Sequence, residues 1–535
     1  MLNSKIVLGL LGATVLAGCN LAPKYIRPLG EVPAALPAGG VYPVAPTDAP
    51  DLTKIGWREF FTDDRLRNTI ALGLQNNRDL RIAAGNVLQA RAQYRIQRAN
   101  LVPSATLSGS ATYTNNIQGA TGALGGATGS GTGTGVGTGT GTGTGTGGTG
   151  AGTGGTGVGT GGTGVGAGIG SSSSNLEFYS VNLGVSAYEL DLFGRLRNLS
   201  RAALEQYFST EEAQRSTRIT LIAEIATAWL TYASDQDQLR ISQESLKSFE
   251  QSLELTRAQF RIGVASELEA QQSETTYQAA RNDIAVLRTR LAQDKNALDL
   301  LVGTPVTPQL LPQGLGNGEV AIKALPVSLA SDILLQRPDV LQAEHQLIAQ
   351  YANIGAARAA LFPRISLTGT LGTISPALSG LFSGGSFTYT AAPAVSLPLF
   401  DGGRLRGNLQ VARAQQQVAV STYERTVQTA FREVADALAQ RGTIDEQIAA
   451  QTARVNAANA ALRISDARYR AGVESFLTTL DSQRTAYAAQ QQLVTTRLNQ
   501  GSNLVELYRS LGGGLDPVER DVGQRREVSY RTQGS

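Results

Sequence analysis

The chain is written twice, and that duplication limits its fold more than any other feature. FRIGVAS (Phe260–Ser266) returns as YRAGVES (Tyr469–Ser475), and LLVG ending at Gly303 returns at the same separation as RSLG ending at Gly512. Upstream, NNRDL (Asn76–Leu80) pairs with QRPDV (Gln336–Val340), and ANLVP (Ala99–Pro103) with AALFP (Ala359–Pro363), sharing a second separation. LFGRLRN from Leu192 matches LFDGGRLRGN from Leu399. The first copy is longer, and its surplus falls between Pro103 and Leu192, around GVGTGTGTGTGTGG at 135–148. A Gly/Thr alternation has no side chains to bury and much backbone entropy to lose, so it reads as an insert in one copy.

Each copy has the same layout. Leu80–Leu101 and Val340–Phe362 read as helices, free of proline until Pro103 and Pro363 stop them. The period then changes to two. Ala105, Leu107, Gly109, Ala111 and Tyr113 alternate with Ser and Thr, and Tyr179, Val181, Leu183, Val185 and Ala187 alternate with mostly polar residues. In the second copy Ile365–Leu371 and Phe387–Leu397 do the same. These are four amphipathic strands, each about ten residues long, enough to cross a bilayer when tilted.

A long helical pattern follows each strand pair. Arg195–Ile262 contains no Gly or Pro, and at 1.5 Å per residue it reaches roughly 100 Å. Its apolar positions (Ile219, Ile222, Ala226, Trp229, Ala233, then Leu246, Phe249, Leu253, Thr256, Phe260) alternate three- and four-residue steps. Gly263 breaks the run, and Tyr277, Ala280, Ile284, Leu287, Leu291 and Leu298 mark a returning helix packed beside it. Leu405–Tyr469 and Phe476–Leu511 repeat the plan, with Gly442 and Gly501 as internal weak points. These stripes read as packing seams rather than ligand sites.

The expected organisation is a leader at 1–18, an extended segment at 19–63, a first repeat at 64–303, a linker at 304–326, a second repeat at 327–514 and a polar tail at 515–535. The first repeat holds a strand hairpin at about 104–191, with its insert at 119–174, and a helical hairpin at 195–302. The second holds a strand hairpin at about 364–399 and a helical hairpin at 402–511. The fold class is mainly α with transmembrane β.

MLNSKIVLGLLGATVLAGCN has one positive residue and an apolar run too short to span a bilayer, the pattern of an export signal. Leu16-Ala17-Gly18-Cys19 resembles a lipoprotein signal, which implies cleavage before Cys19 and acylation of that residue. Asn20 after the cysteine implies, in Gram-negative lipoproteins, export to the outer membrane. An ordinary signal with an incidental thiol is the alternative.

Four strands cannot close a barrel, because two edges stay unpaired in hydrocarbon. Several chains must contribute, and the same symmetry gathers the long helices into a tube. With this layout, the motifs APKYIRP, NNRDLRIA, YELDLFGRLR, QRPDVLQAEHQLIAQYANIGAARAALFPRISLTG, FREVADAL and LYRSLGGG make the chain resemble the outer-membrane factor family. These are the TolC-like tunnels, and the resemblance, from Cys19 to about Gly514, is to the NodT-type lipoprotein branch serving RND-type tripartite efflux. It implies a homotrimer with a twelve-stranded β-barrel continuous with a periplasmic α-helical barrel and a mixed equatorial belt. It also implies docking to a periplasmic adaptor that joins an inner-membrane transporter. The Gly/Thr insert then lies in an extracellular loop, as a neutral expansion or a partial cover of the pore mouth.

The turns at Gly263, Val264, Ser266 and at Gly472, Val473, Ser475 are where the resemblance places adaptor docking. Gly supplies the left-handed residue that ends a helix, and each Ser caps the returning one. The family closes this end with an iris, in which a Tyr bonds to an inner helix and carboxylates ring the constriction. Tyr469 stands at the Tyr position, Asp481 at one ring position and Glu269 at the bonding acid. Ser266-Glu267-Leu268-Glu269 is also a capping box, which would use Glu269 locally. Two departures stand out: Thr478 replaces the second ring carboxylate, and Glu474 replaces a nearby basic residue. A carboxylate ring in a narrow aperture would favour cations and hold divalent ions.

The remaining composition excludes other classes. One Cys and one His rule out a Cys/His zinc cluster and any intrachain disulfide, and no cofactor is expected beyond a covalent lipid on Cys19. A formal charge of +3 without a concentrated basic stripe argues against nucleic acid. His345 sits mid-helix beside no nucleophile motif, as a packed or surface histidine, and no phosphate-binding loop or nucleophile elbow appears. The leading expectation is a passive exit duct for drugs or solvents. The rivals are a duct for type I protein secretion and a surface-display lipoprotein carried by the Gly/Thr loop. With only Met1, a methionine-rich copper path is absent.

Overall fold

The computed structural model describes residues 20–28, 32–33, 35–43, 55–114, 176–316 and 331–513. Cys19, the insert at 119–174 and the tail at 515–535 lie outside the described residues. The elements are α1 (Trp57–Phe60), α2 (Asp64–Asn76), α3 (Arg78–Ala99), β1 (Ala105–Thr114), β2 (Leu176–Leu190), α4 (Arg195–Arg261), α5 (Glu267–Val302), α6 (Pro338–Ala359), β3 (Arg364–Ser375), β4 (Phe387–Ser396), α7 (Arg404–Arg470) and α8 (Phe476–Ser510). The α1 turn corrects the expectation of an extended segment through residue 63, and α2 precedes the first expected helix. Strands and helices fall into two compact units.

The strand unit is one antiparallel sheet in the order β1-β2-β3-β4. β2 pairs with β3, so the two copies join side by side and β1 and β4 are left as edges. The register aligns Leu107 with Leu183, Leu183 with Leu371, and Leu371 with Tyr389. That apolar row is exposed, Leu107 and Tyr389 each by 74%. The next row, Ser108, Asn182, Gly372 and Thr388, lies on the opposite face and is polar. There the Ser110 and Ser180 hydroxyls meet at 2.9 Å. A sheet exposing its apolar face is built for hydrocarbon on one side and water on the other. A bulge between Val185 and Tyr188, with Ala187 at φ 47°, bends β2 locally.

In the helical unit α4 and α7 are each 67 residues long, and α5 and α8 return beside them with 36 and 35. The expected seam is buried at Ile219, Ile222, Ala226, Trp229 and Ala233, whereas Phe260, near its end, is exposed. The main core joins both copies, from Trp57, Phe60 and Phe61 through Trp229 to Tyr423, Val434 and Tyr508. Phe60 stacks on Tyr508 at 3.9 Å, whose hydroxyl donates to the Ile55 carbonyl at 2.7 Å. His345 on α6 is buried against Glu205 on α4, Nδ1 to Oε2 2.8 Å.

Gly442 and Gly501 are not breaks, because α7 and α8 run through them. They are points of close approach. A Cβ at Gly442 would sit 1.8 Å from the Val41 carbonyl oxygen, and one at Gly501 3.2 Å from Leu230 Cδ1. Val41 belongs to an N-terminal strap laid on the helices. The Arg27 guanidinium grips Glu344 with both arms at 2.9 and 2.7 Å, and the Tyr25 hydroxyl donates to the same carboxylate at 2.9 Å. Upstream, Asn198 Nδ2 donates to Asn20 Oδ1 at 3.0 Å, and Arg358 to the Leu21 carbonyl at 3.2 Å.

Candidate functional site: the helix-hairpin turns

The two turns between long helices share one geometry. Gly263 and Gly472 have φ 75° and 76°, with nothing within 4 Å of an added Cβ, so backbone conformation alone calls for glycine. The amide after each glycine reaches back over the helix end, Val264 to the Gln259 carbonyl at 2.9 Å and Val473 to that of Arg468 at 3.0 Å. Ser266 caps α5 by accepting from the Glu269 amide at 3.3 Å, and Ser475 caps α8 by accepting from the Thr478 amide at 3.4 Å. Glu269 Oε2 accepts from the Ser266 amide at 2.7 Å, completing the capping box. Each turn exposes apolar side chains, Ile262, Val264 and Leu268 in the first copy, Val473 and Leu477 in the second.

Tyr469 donates its hydroxyl to Gln259 Oε1 on α4. Of the two readings of Glu269 the geometry is the cap, and Gln259 is the residue Tyr469 meets. Burial raises the Tyr469 hydroxyl pKa, and the nearby Glu269 charge adds to the shift. Asp481 is exposed and has no partner among the described residues. Thr478, also exposed, donates to Glu474 Oε1 at 3.2 Å, and the same carboxylate pairs with Arg468 at 3.0 Å. Glu474 is thus held within its own turn.

Above Tyr469 the structure adds three links between copies that the motifs do not mark. Gln483 donates to Ser252 at 2.7 Å, and Arg484 directs Nε and Nη2 to Thr276 Oγ1 at 3.0 and 2.7 Å. The Tyr487 hydroxyl donates to Asp283 at 2.9 Å and lies 2.8 Å from the Ser242 hydroxyl. A helical-wheel reading that places polar residues on the buried side of α8 would have found Gln483. Between the first links lies a cavity of about 220 Å³ bounded by Ser252, Leu462, Tyr469, Phe476 and Gln483. The arrangement is a polar ladder fastening the second-copy hairpin to the first. Among the described residues no three His, Cys, Asp or Glu side chains gather as a metal site, and no helix is long and apolar enough to cross a membrane.

A duplicated unit of amphipathic strand pairs and very long helical hairpins, with water-facing and hydrocarbon-facing sheet surfaces, defines the outer-membrane channel class. The chain belongs to the outer membrane efflux protein family, whose model matches residues 69–304 and 329–513. It is 42% identical over 521 residues to the toluene efflux pump outer membrane protein TtgC of Pseudomonas putida, covering 96% of this chain and 97% of that one. The antibiotic efflux pump outer membrane protein ArpC of Pseudomonas putida matches to the same extent. Among solved structures, the open state of the Neisseria gonorrhoeae MtrE outer membrane channel superposes with a TM-score of 0.76 at 32% identity. It covers 93% of this chain and 99% of that chain.

Proposed function

We propose that this outer-membrane efflux protein is the passive exit duct of a tripartite pump, carrying toluene-like solvents or antibiotics from periplasm to outside. The carrying observation is the row Leu107, Leu183, Leu371 and Tyr389, apolar and exposed on a sheet with two free edges. Unpaired strand edges in hydrocarbon cost several kcal/mol per polar group, so the edges must pair between copies. Three copies give twelve strands and a closed barrel. The names of the relatives supply the substrate classes, toluene and antibiotics.

Acylation of Cys19 is part of this proposal, supported by the strap that holds Asn20 and Leu21 on the helices. The exposed apolar residues at Val264 and Val473 suit a periplasmic adaptor, which links the duct to an RND-type transporter. Tyr469 fastens the closed tip, Asp481 supplies a ring of three carboxylates, and Thr478 leaves that ring less negative than two acids would. Energy comes from the transporter, and the duct itself performs no chemistry.

The test is a deletion strain challenged with drugs, dyes and toluene while its secreted proteins are profiled. Hypersensitivity restored by the intact gene supports the efflux duct. Unchanged tolerance with a missing secreted protein overturns it in favour of type I secretion. A chain lacking 119–174 that restores tolerance removes the display reading.

A further inference from the structure

We infer that the strand-proximal ends of α3 and α7 form a phosphate-binding belt that holds anionic phospholipid headgroups of the periplasmic leaflet. This rests on the reading above, that the strands cross the outer membrane.

The charge distribution along the helices is one-sided. Between Gly85 and Ala99, and between Arg404 and Tyr423, there is no Asp or Glu. Those stretches carry Arg91, Arg95 and Arg98 on α3, and Arg404, Arg406 and Arg413 on α7. All six are exposed, and none has an ion pair among the described residues. Farther along α7, by contrast, arginines meet carboxylates, as in Arg441 with Asp445 and Arg470 with Asp466. The nearest acid along the chain, Asp401, has an interaction of its own.

Arg404 and Arg406 also occupy the first turn of a helix whose N-terminus is already electropositive, with no acid beside them. Such a placement is unfavourable without an external anion. Arg91, Arg95 and Arg98 follow i, i+4, i+7 spacing, so they share one stripe of α3. The neighbouring stripe, Ala90 and Tyr94, is packed against Leu204, Tyr207 and Phe208 and leaves the arginine stripe at its margin.

A second observation points to lipid. The connections 100–104, 360–363 and 397–403, which join helices to strands, expose Val102, Phe362, Leu399 and Phe400. Leu399 and Phe400 are 91% and 93% exposed, beyond any other large apolar side chain described. An exposed apolar collar followed by arginines along the chain is the order of a membrane interface, with acyl boundary first and phosphate next. Chain reach alone keeps the arginines near it, since a few extended residues span at most about 3.5 Å each. Arginine's planar fork suits phosphate oxygens better than lysine's point charge.

The experiment uses full-length protein purified in neutral detergent and offered phosphatidylglycerol or phosphatidylcholine in mixed micelles. Bound lipid is measured after gel filtration at low and high salt, and single-channel ion selectivity is measured in planar bilayers. The variant replaces all six arginines by glutamine. The expected result is salt-sensitive preference for phosphatidylglycerol in the parent, falling at least roughly tenfold in the variant, since each arginine near an anionic surface contributes roughly fivefold. Selectivity stays unchanged, and an Arg→Lys set retains part of the preference. Equal lipid retention by parent and glutamine variant overturns the belt. Unchanged retention with altered ion selectivity overturns it too, placing the arginines in the lumen. A parent that forms no channel in bilayers refutes the underlying duct reading instead, and the belt with it.

Discussion

Tyr469 near the end of α7 donates its hydroxyl to Gln259 on α4, so one hydrogen bond ties the second helical hairpin to the first beside both turns. It is the outermost rung of a ladder that continues through Gln483, Arg484 and Tyr487. A net hydrogen bond of this kind stabilises by about 1 kcal/mol, roughly fivefold in an equilibrium. Tyr469→Phe is therefore expected to shift the tip toward open by about that factor, read as higher mean conductance in planar bilayers. Gln259→Leu should do the same, and the double variant should add little. Independent, additive effects would show that the two residues do not act through each other.

Two pairs of glycines separate a packing role from a flexible one. A Cβ at Gly442 or Gly355 would collide with the strap, at the Val41 carbonyl and at Ala22 Cβ, 1.8 and 2.7 Å away. Gly442→Ala and Gly355→Ala should each cost about 1–3 kcal/mol, as overpacking does. Gly85 and Gly407, with nothing within 4 Å, lie in helix interiors, and Ala there should stabilise by about 0.5–1 kcal/mol. Thermal unfolding and protease cleavage of residues 20–43 give the readout. Gly442→Ala with an undisturbed strap would refute the packing role.

The duplication itself was legible because both copies retain their turn residues, and helix and strand lie on distinct periods. Ser266 and Ser475 were legible as caps because capping is local in sequence. The ladder was not, since Gln259 and Tyr469 meet only once two long helices have taken a particular rotation about their axes. The strap was hidden for a similar reason: Tyr25 and Arg27 reach Glu344 across more than three hundred residues. Gly442 misled because a glycine inside a helix signals weakness locally, whereas its cause lay in a distant carbonyl.

Arg337 is 5% exposed, yet it donates to the Ser510 carbonyl at 2.6 Å, Asp339 at 2.7 Å and Glu433 at 2.8 Å. Removing the cation strands the helix-terminal Ser510 carbonyl and leaves Asp339 without its cation, while Glu433 keeps Arg509 at 3.3 Å. Arg337→Met should cost about 1–3 kcal/mol, the range for leaving a buried hydrogen-bonding group unsatisfied. Arg337→Lys should recover only part, because an ammonium cannot serve three acceptors in that planar arrangement. Denaturant unfolding of the detergent-solubilised protein measures both, and a Met variant as stable as the parent would remove Arg337 from the stabilising set.

Asp294 on α5 shares a hydrogen bond with Asp235 on α4, and its Oδ2 is buried without a partner. Burial, then the Asp235 charge and that hydrogen bond, push the Asp294 carboxyl up to about 6, while Arg290 opposes the shift. Burial raises the Asp235 carboxyl as well. The folded helices thus hold a proton that the unfolded chain has already released above about pH 4. The stabilisation from that proton is complete below about pH 4 and is lost as pH rises through about 6. Asp294→Asn keeps the hydrogen-bonding shape without the charge, so its stability gain over the parent should grow from pH 4 to pH 6 and then level off. Unfolding midpoints of both proteins across that range supply the difference. A gain independent of pH would mean that the carboxyl pair does not titrate as a unit between α4 and α5.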